Sequence, residues 1–236
     1  MVWLSSWATT RARLIALMLG SFGALLLCAI LCGELLGLGE RPDGSTALDS
    51  SITSWMVAHR NQGWTTLAHA LSTLGSQTVL LPLTAAVALA LLARRRFTLA
   101  ALLITAWGGA LLLYSLTKYF VHRPRPPSHI WLTDVGKTTS FPSGHATQSL
   151  ATLVAFGLVG MAWISKPRWP ALLLPVVLAA GVGWSRVYLG VHWTSDVLAG
   201  WLIGAVWVTI VLWLAGIELL IERRRPDGRP SGSSPD

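Results

Sequence analysis

The chain has 236 residues, of which 53% are hydrophobic, 12% are charged and 13 are Trp, with a formal net charge of +8. So few charges among so many apolar residues exclude an ordinary soluble domain and point to one multi-helix membrane domain that uses the whole length. The positive charge raises nucleic acid as a partner, but no basic helix or aromatic-interleaved basic patch accompanies it, so no nucleic-acid partner is expected.

Residues 1–13 form a short amphipathic lead carrying Trp3, Trp7, Arg11 and Arg13. The apolar run 14–38 follows. It is too long for the core of a secretory signal and no small-x-small site closes it, so it reads as a retained first transmembrane helix. Cys28 and Cys32 lie one turn apart inside it and are expected to be small core residues rather than a disulfide or metal site. Glu34, near the far end, is expected to snorkel. Residues 39–75 are the longest polar segment, opening on turn chemistry. From 48 to 74 apolar residues recur at helical spacing, and Trp55 and Trp64 suggest helices lying in the membrane interface. His59 and His69 read as surface residues.

Five further spans are predicted at 76–93, 97–117, 146–165, 170–188 and 197–221. Each is near the ~20 residues that cross a ~30 Å hydrocarbon core. Pro82 and Pro175 are expected to bend their spans, which neighbouring helices tolerate. The expected fold class is therefore all-α, a six-transmembrane-helix protein with short interfacial helices between the first and second spans. Its predicted parts are a cytoplasmic lead (1–13), the membrane domain (14–221) and a disordered cytoplasmic tail (222–236).

Six spans put both termini on one side. Arg11, Arg13, Arg94, Arg95, Arg96, Lys166, Arg168, Arg223, Arg224, Arg225 and Arg229 all fall there, and the positive-inside rule makes that side cytoplasmic. Arg41, Arg60, Lys118, Arg123, Arg125, Lys137 and Arg186 break the trend, and they draw attention to the outer face.

Three polar stretches meet on that face. In the first, Lys118, His122, Arg123 and Arg125 stand beside rigid X-Pro steps and make a fixed positive cup; a juxtamembrane anchor would prefer the other leaflet. In the second, Ser143-Gly144-His145 opens the fourth span, where a helix N-terminus with a capping Ser and a close-approach Gly suits an anion. The third joins the last two spans. There His192 and Asp196 stand at i and i+4 on one helical face, so that the carboxylate fixes one ring nitrogen and bares the other. Arg186, six residues before His192, offers a fork for phosphate oxygens. Taken alone, this last stretch also fits an interfacial Arg–Asp pair with a satisfied His. Together the three make a phosphoryl-transfer constellation.

Lys118-x6-Arg125-Pro126, Pro142-Ser143-Gly144-His145 and Ser185-Arg186-x5-His192-x3-Asp196 resemble, in order and spacing, the three signature motifs of the type 2 phosphatidic acid phosphatase (PAP2) family. These are integral-membrane lipid phosphate phosphatases, related in their site to vanadium haloperoxidases and glucose-6-phosphatase. The resemblance covers about 76–221; Thr194, where many relatives have Pro, is a departure. It implies a two-step, cofactor-free and metal-free mechanism. His192 would attack phosphorus, oriented by Asp196, and His145 would protonate the leaving oxygen and then help water attack the phosphohistidine. Lys118, Arg125, Arg186, Ser143 and the N–H of Gly144 would hold phosphoryl oxygens, with Arg123 as a helper and His122 and His129 as bystanders. The expected protein is a lipid phosphatase of a bacterial cytoplasmic membrane with its site on the outer face. Undecaprenyl diphosphate is the leading substrate, and phosphatidylglycerophosphate or phosphatidic acid the alternative. A lipid-to-lipid phosphotransferase on the same scaffold and a non-catalytic lipid-binding protein are the competing readings, the last disfavoured because His145, His192 and Asp196 are all present. A haloperoxidase is disfavoured because those relatives are soluble.

Overall fold

The structure, a computed structural model, describes residues 2–38, 44–136, 138–161 and 170–223. Arg41, Lys137, Lys166, Arg168, Arg224, Arg225, Arg229 and the expected tail beyond 223 lie outside the described residues, as do the side chains of Trp3, Trp7, Arg11 and Arg223. Among the described residues there is no strand. The helices are α1 (Val2–Leu35), α2 (Ala47–Ala58), α3 (Gln62–Leu74), α4 (Gln77–Ala93), α5 (Phe97–Phe120), α6 (Gly144–Met161), α7 (Pro170–Tyr188) and α8 (Thr194–Arg223). Helix α1 runs through Arg13 without a break, so the lead and the first apolar run are one rod.

Among the described residues, three segments are long and apolar enough to cross a bilayer: Ala12–Leu35, Phe97–Phe120 and Thr194–Gly216. Helices α3 and α4 meet at a 43° bend and qualify only as a pair, and 172–188 is a shorter apolar helix. Helix α6 is not among them because of Thr147, Gln148, Ser149 and Thr152, yet all four are buried. Enclosure by α5, α7 and α8 hides that polar face from any lipid. The predicted span 97–117 continues one turn further than hydropathy alone suggested, and that extra turn carries Lys118.

Two tryptophans of α8 set how the site-bearing helices sit. Trp207, fully buried, lies against Gly109 of α5 and donates to the Thr105 carbonyl at 3.1 Å. A Cβ on Gly109 would stand 2.1 Å from the indole. Trp201 does the same on α7, donating to the Ala179 carbonyl at 3.2 Å over Gly183, where a Cβ would stand 2.3 Å away. Each aromatic ring thus fills a notch that only glycine leaves open, and its N–H finds a partner as buried indoles require.

Helix α1 lies outside this group and packs one strip, Met18, Phe22, Leu25, Leu26 and Ala29, on the core. Cys28 and Cys32 fall on the opposite face and are exposed, which corrects the expectation that they are core residues. The polar segment after α1 forms α2 and α3, which pack on α7 and, for α2, α8. Helix α2 opens with a capping box, Thr46 and Asp49 each accepting from the other's backbone N–H. Between α2 and α3, Arg60 donates to the Tyr188 carbonyl at 2.8 Å, a cation satisfying the C-terminus of α7. The chain then turns at Gly190, φ +76°, where a Cβ would meet the Ile130 carbonyl at 2.6 Å.

The notch predicts an inversion of the usual helix preference. Alanine normally stabilises a helix interior over glycine by about 0.5–1 kcal/mol, but at Gly109 overpacking should outweigh this by about 1–3 kcal/mol. Gly109→Ala should lower the melting temperature of purified protein, whereas Gly20→Ala, with nothing within 4 Å of the added methyl, should not. A Gly109→Ala protein as stable as the parent contradicts the packing described.

Candidate active site

The three polar stretches converge at one end of α5, α6, α7 and α8. Helix α8 begins at Thr194, so Asp196 sits in its first turn and reaches back to the two residues before the helix. Its Oδ2 accepts from the Trp193 N–H at 2.9 Å, from the Ser140 hydroxyl, and faces His192 Nδ1 at 3.3 Å. Its Oδ1 accepts from Arg123 Nη1 at 2.5 Å. Across the ring, His192 Nε2 lies 3.2 Å from Arg125 Nη1. A guanidinium has no lone pair to offer, so Nε2 is the acceptor and the proton belongs on Nδ1, directed at Asp196. Burial, reinforced by the positive charges of Arg125, Lys118 and Arg186, holds the His192 imidazole well below its ordinary pKa. The ring is therefore neutral, with its unprotonated nitrogen at Nε2.

Arg123 carries this arrangement. It is fully buried and makes four hydrogen bonds: to Asp196, to Asp49 Oδ2 at 2.7 Å, to the Ser195 hydroxyl at 2.8 Å and to the Gly44 carbonyl at 2.7 Å. Asp49, on α2 and equally buried, also accepts from the Ser195 backbone N–H at 2.9 Å and from the Thr46 hydroxyl at 2.8 Å. Burial alone would push its carboxyl up, but the bonds from Ser195 and Thr46 and the charge of Arg123 hold it below the usual carboxylate value. Asp49, Arg123 and Asp196 thus form a row of two anions about one cation behind His192.

A cavity of about 490 Å³ opens on the other side of the ring, and Lys118, Arg125, Gly144, His145, Arg186 and His192 all line it. Lys118 Nζ is set by the carbonyls of Thr139 and Ser140, at 2.6 and 3.0 Å. Arg125 spans the Thr138 carbonyl and hydroxyl, both at 2.8 Å, and stays cationic at neutral pH although burial lowers its pKa to about 10. Arg186 donates to the Ser72 hydroxyl, while its Nε, buried, has no partner. Gly144 opens α6 against the Tyr114 ring, where a Cβ would stand 2.9 Å away.

Three expected site residues are not on the cavity wall. Asp196 stands behind His192, against its Nδ1. Arg123 does not line the cavity and its hydrogen bonds all run to protein groups, which corrects its assignment to phosphate. Ser143 is fully buried; its backbone N–H donates to the Asp196 carbonyl at 3.0 Å and its hydroxyl faces the Ala146 N–H at 3.5 Å, so its side chain caps α6 instead of lining the cavity. His122 and His129 are exposed and off the cavity, whereas His69, exposed on α3, borders it. Sequence reasoning missed Asp49, Ser140 and Ser195 behind His192, and Ser72, Tyr114 and Gln148 on the wall. The Thr46-x-x-Asp49 capping spacing was a readable signal for the first. A Gln inside the apolar run 146–165 was one for the last.

A neutral imidazole whose unprotonated nitrogen meets Arg125, beside Lys118, Arg186 and a helix N-terminus, is chemistry suited to a phosphoryl group, whose oxygens such cations can hold. The fold and site thus define a helical membrane phosphatase of the phosphoryl-transfer type. The PAP2 superfamily profile matches residues 97–218, and the chain belongs to that superfamily. It is 32% identical to an undecaprenyl-diphosphatase of Sulfolobus acidocaldarius, over 66% of this chain and 69% of the relative. It is 29% identical to phosphatidylglycerophosphatase B of Bacillus subtilis, over 75% of this chain and 86% of the relative. Among solved structures, a PAP2 type phosphatidylglycerolphosphate phosphatase from Bacillus subtilis superposes with a TM-score of 0.69 at 26% identity, covering 85% of this chain and 98% of that one.

Asp49 lies outside the matched residues, which makes it a sharp test of the geometry. Removing one partner of a buried ion pair costs about 3–5 kcal/mol. Asp49→Ala should lower the melting temperature and, in the protein that remains folded, reduce kcat far more than it changes KM, because no cavity-lining group is removed. Unchanged kcat with a raised KM would place Asp49 at the substrate instead.

Proposed function

We propose that the protein hydrolyses a lipid diphosphate or phosphate in two steps, through a phosphohistidine on His192, at the outer face of a bacterial cytoplasmic membrane. The observation that carries this is the division of His192: Nδ1 is tied to Asp196, and the unprotonated Nε2 meets Arg125, which lines with Lys118, Arg186 and His192 itself one cavity. In the first step Nε2 attacks phosphorus, the bond to the leaving oxygen breaks, and His145 protonates that oxygen. In the second, water attacks the phosphohistidine, His145 takes its proton, and the P–N electron pair returns to Nε2. Asp196 stabilises the positive charge on the ring in between. The three cations and the Gly144 N–H neutralise the phosphoryl charge, the task a metal performs in other phosphatases. His192→Ala should abolish turnover and His145→Ala should slow it severely. Activity should survive excess chelator, and vanadate should inhibit. Loss of activity on chelation, restored by magnesium, would contradict a metal-free cradle.

Six spans are the arrangement we propose, with α1, α4, α5, α6, α7 and α8 crossing and α2 and α3 lying at the interface. The basic turn Arg94–Arg96 stands at the end of α5 opposite Lys118, which supports a cytoplasmic face remote from the site. Single cysteines replacing Asp134 and Arg95, in a background lacking Cys28 and Cys32, should differ in labelling by an impermeant thiol reagent on intact cells. Labelling at Arg95 and not at Asp134 would invert this orientation.

For the substrate we favour a polyprenyl diphosphate, undecaprenyl diphosphate first. The name of the Sulfolobus relative supports it, and so does a cavity whose three cations suit more than one phosphate group. Phosphatidylglycerophosphate is the second reading, supported by the names of the Bacillus relative and structure. On purified protein, kcat/KM should be higher for the prenyl diphosphate, with phosphate released in the absence of any acceptor lipid. A ten-fold preference for the glycerophospholipid, about 1.4 kcal/mol in the transition state, would overturn the substrate choice. Phosphate release only on adding an acceptor lipid would make the protein a phosphotransferase.

A further inference from the structure

One polar atom in the cavity region has no task in the scheme above. Gln148 lies three residues after His145 on α6, on the same helical face, and both line the cavity. The residue is 2% exposed. Its amide nitrogen donates to the Trp107 carbonyl at 2.9 Å and to the Thr152 hydroxyl at 3.3 Å. Because a backbone carbonyl can only accept, the amide orientation is forced, and the remaining atom is the oxygen. That oxygen, Oε1, is buried and has no hydrogen-bond partner. A buried carbonyl left unpaired costs roughly 1–3 kcal/mol, so its retention calls for a ligand.

The chemistry of Oε1 selects that ligand. The rest of the wall offers cations and N–H donors to phosphoryl oxygens, whereas a carbonyl oxygen repels them. Oε1 can receive only an O–H or N–H group. Before attack a diphosphate substrate supplies neither at its reacting end, and its leaving oxygen gains an O–H from His145 only as it departs. The water of the second step supplies one. That water must stand beside His145, the base that takes its first proton, and its second proton needs an acceptor.

Resting on the two-step reading above, we propose that Gln148 holds the hydrolytic water, Oε1 accepting a hydrogen bond from one O–H, which stays with the oxygen, while His145 takes the other proton. The water oxygen then forms its bond to phosphorus as the P–Nε2 bond breaks, and the products are inorganic phosphate and neutral His192. Anchoring by Trp107 on α5 and Thr152 one turn on fixes the acceptor, so the water is held in place before the phosphohistidine forms. Gln148 therefore serves the second step and not the first. It favours water over a larger acceptor at the phosphohistidine.

The test uses full-length protein in detergent. Gln148→Met keeps the length and removes the acceptor; Gln148→Asn, which withdraws it by one methylene, serves if the first variant does not fold. Vanadate inhibition checks that the cavity is intact. With phosphorus-labelled prenyl diphosphate and rapid quenching, the variant should form phosphohistidine at a rate within about threefold of the parent. It should then turn over at least tenfold more slowly, so that the label accumulates on His192. Exchange of oxygen-18 between inorganic phosphate and water, which runs the second step backwards and forwards without lipid, should fall at least tenfold. Exchange within threefold of the parent, or formation and turnover falling together, overturns the role of Gln148. A raised KM with no accumulation assigns Gln148 to the leaving group and overturns it as well. Absence of phosphohistidine and of exchange in the parent protein would instead defeat the two-step reading on which the proposal rests.

Discussion

The site depends on one buried guanidinium. Arg123 sits between Asp49 and Asp196 with no exposure to solvent, and taking three charges out of water is costly unless every one is paired and hydrogen-bonded. Here the pairing is dense: two carboxylates, a hydroxyl and a carbonyl receive the guanidinium, and Ser195 and Thr46 bond the far carboxylate. Such a cluster adds little net stability over an apolar core, but it fixes geometry. It joins α2, the stretch after α5 and the first turn of α8, and His192 inherits its orientation from that junction.

The charges also have a direction. Behind His192 the row Asp49, Arg123, Asp196 carries one net negative charge; in front stand the basic groups of Lys118, Arg125 and Arg186. The imidazole ring lies between them, with its proton toward the anions and its lone pair toward the cations. In the mechanism proposed, a phosphoryl group entering the cavity meets the basic wall, and the positive charge that attack would leave on the ring faces a carboxylate. Both ends of the developing dipole are therefore stabilised by groups that need not move, which is the efficient form of electrostatic catalysis. The glycine notches that receive Trp201 and Trp207 hold α5, α7 and α8 at the spacing this requires.

Much of this was legible in the sequence. The helix positions followed hydropathy, and the cations at 118, 125 and 186 were conspicuous because they broke a charge rule. The His192–Asp196 spacing gave the pair, since i and i+4 share a helical face and a carboxylate in the first turn of a helix can reach back. Arg123 was misassigned because charge and position cannot tell a cation that meets a ligand from one that meets a buried anion, and the anion, Asp49, lies 74 residues away in sequence. Ser143 was misassigned for a related reason: a side chain that caps its own helix is turned away from the cavity its neighbour lines. The cysteines were placed in the core because apolar surroundings in a membrane helix do not distinguish protein from lipid. Segment 39–75 carried no motif, yet it supplies Asp49, Arg60 and Ser72, each acting through a partner that only the fold brings near.

The central claim is that burial and the facing cations keep His192 neutral, while Asp196, held by Arg123 and Asp49, fixes its proton on Nδ1. Nitrogen-15 NMR of histidine-labelled protein reads this directly, with His192→Gln assigning the signal. The account predicts a neutral ring protonated at Nδ1 at pH 7.5. Because its pKa lies well below 6.5, that signal should persist as the pH falls through 6.5 and should become the imidazolium only in more acidic solution. A ring protonated at Nε2, or an imidazolium already present at neutral pH, would contradict it.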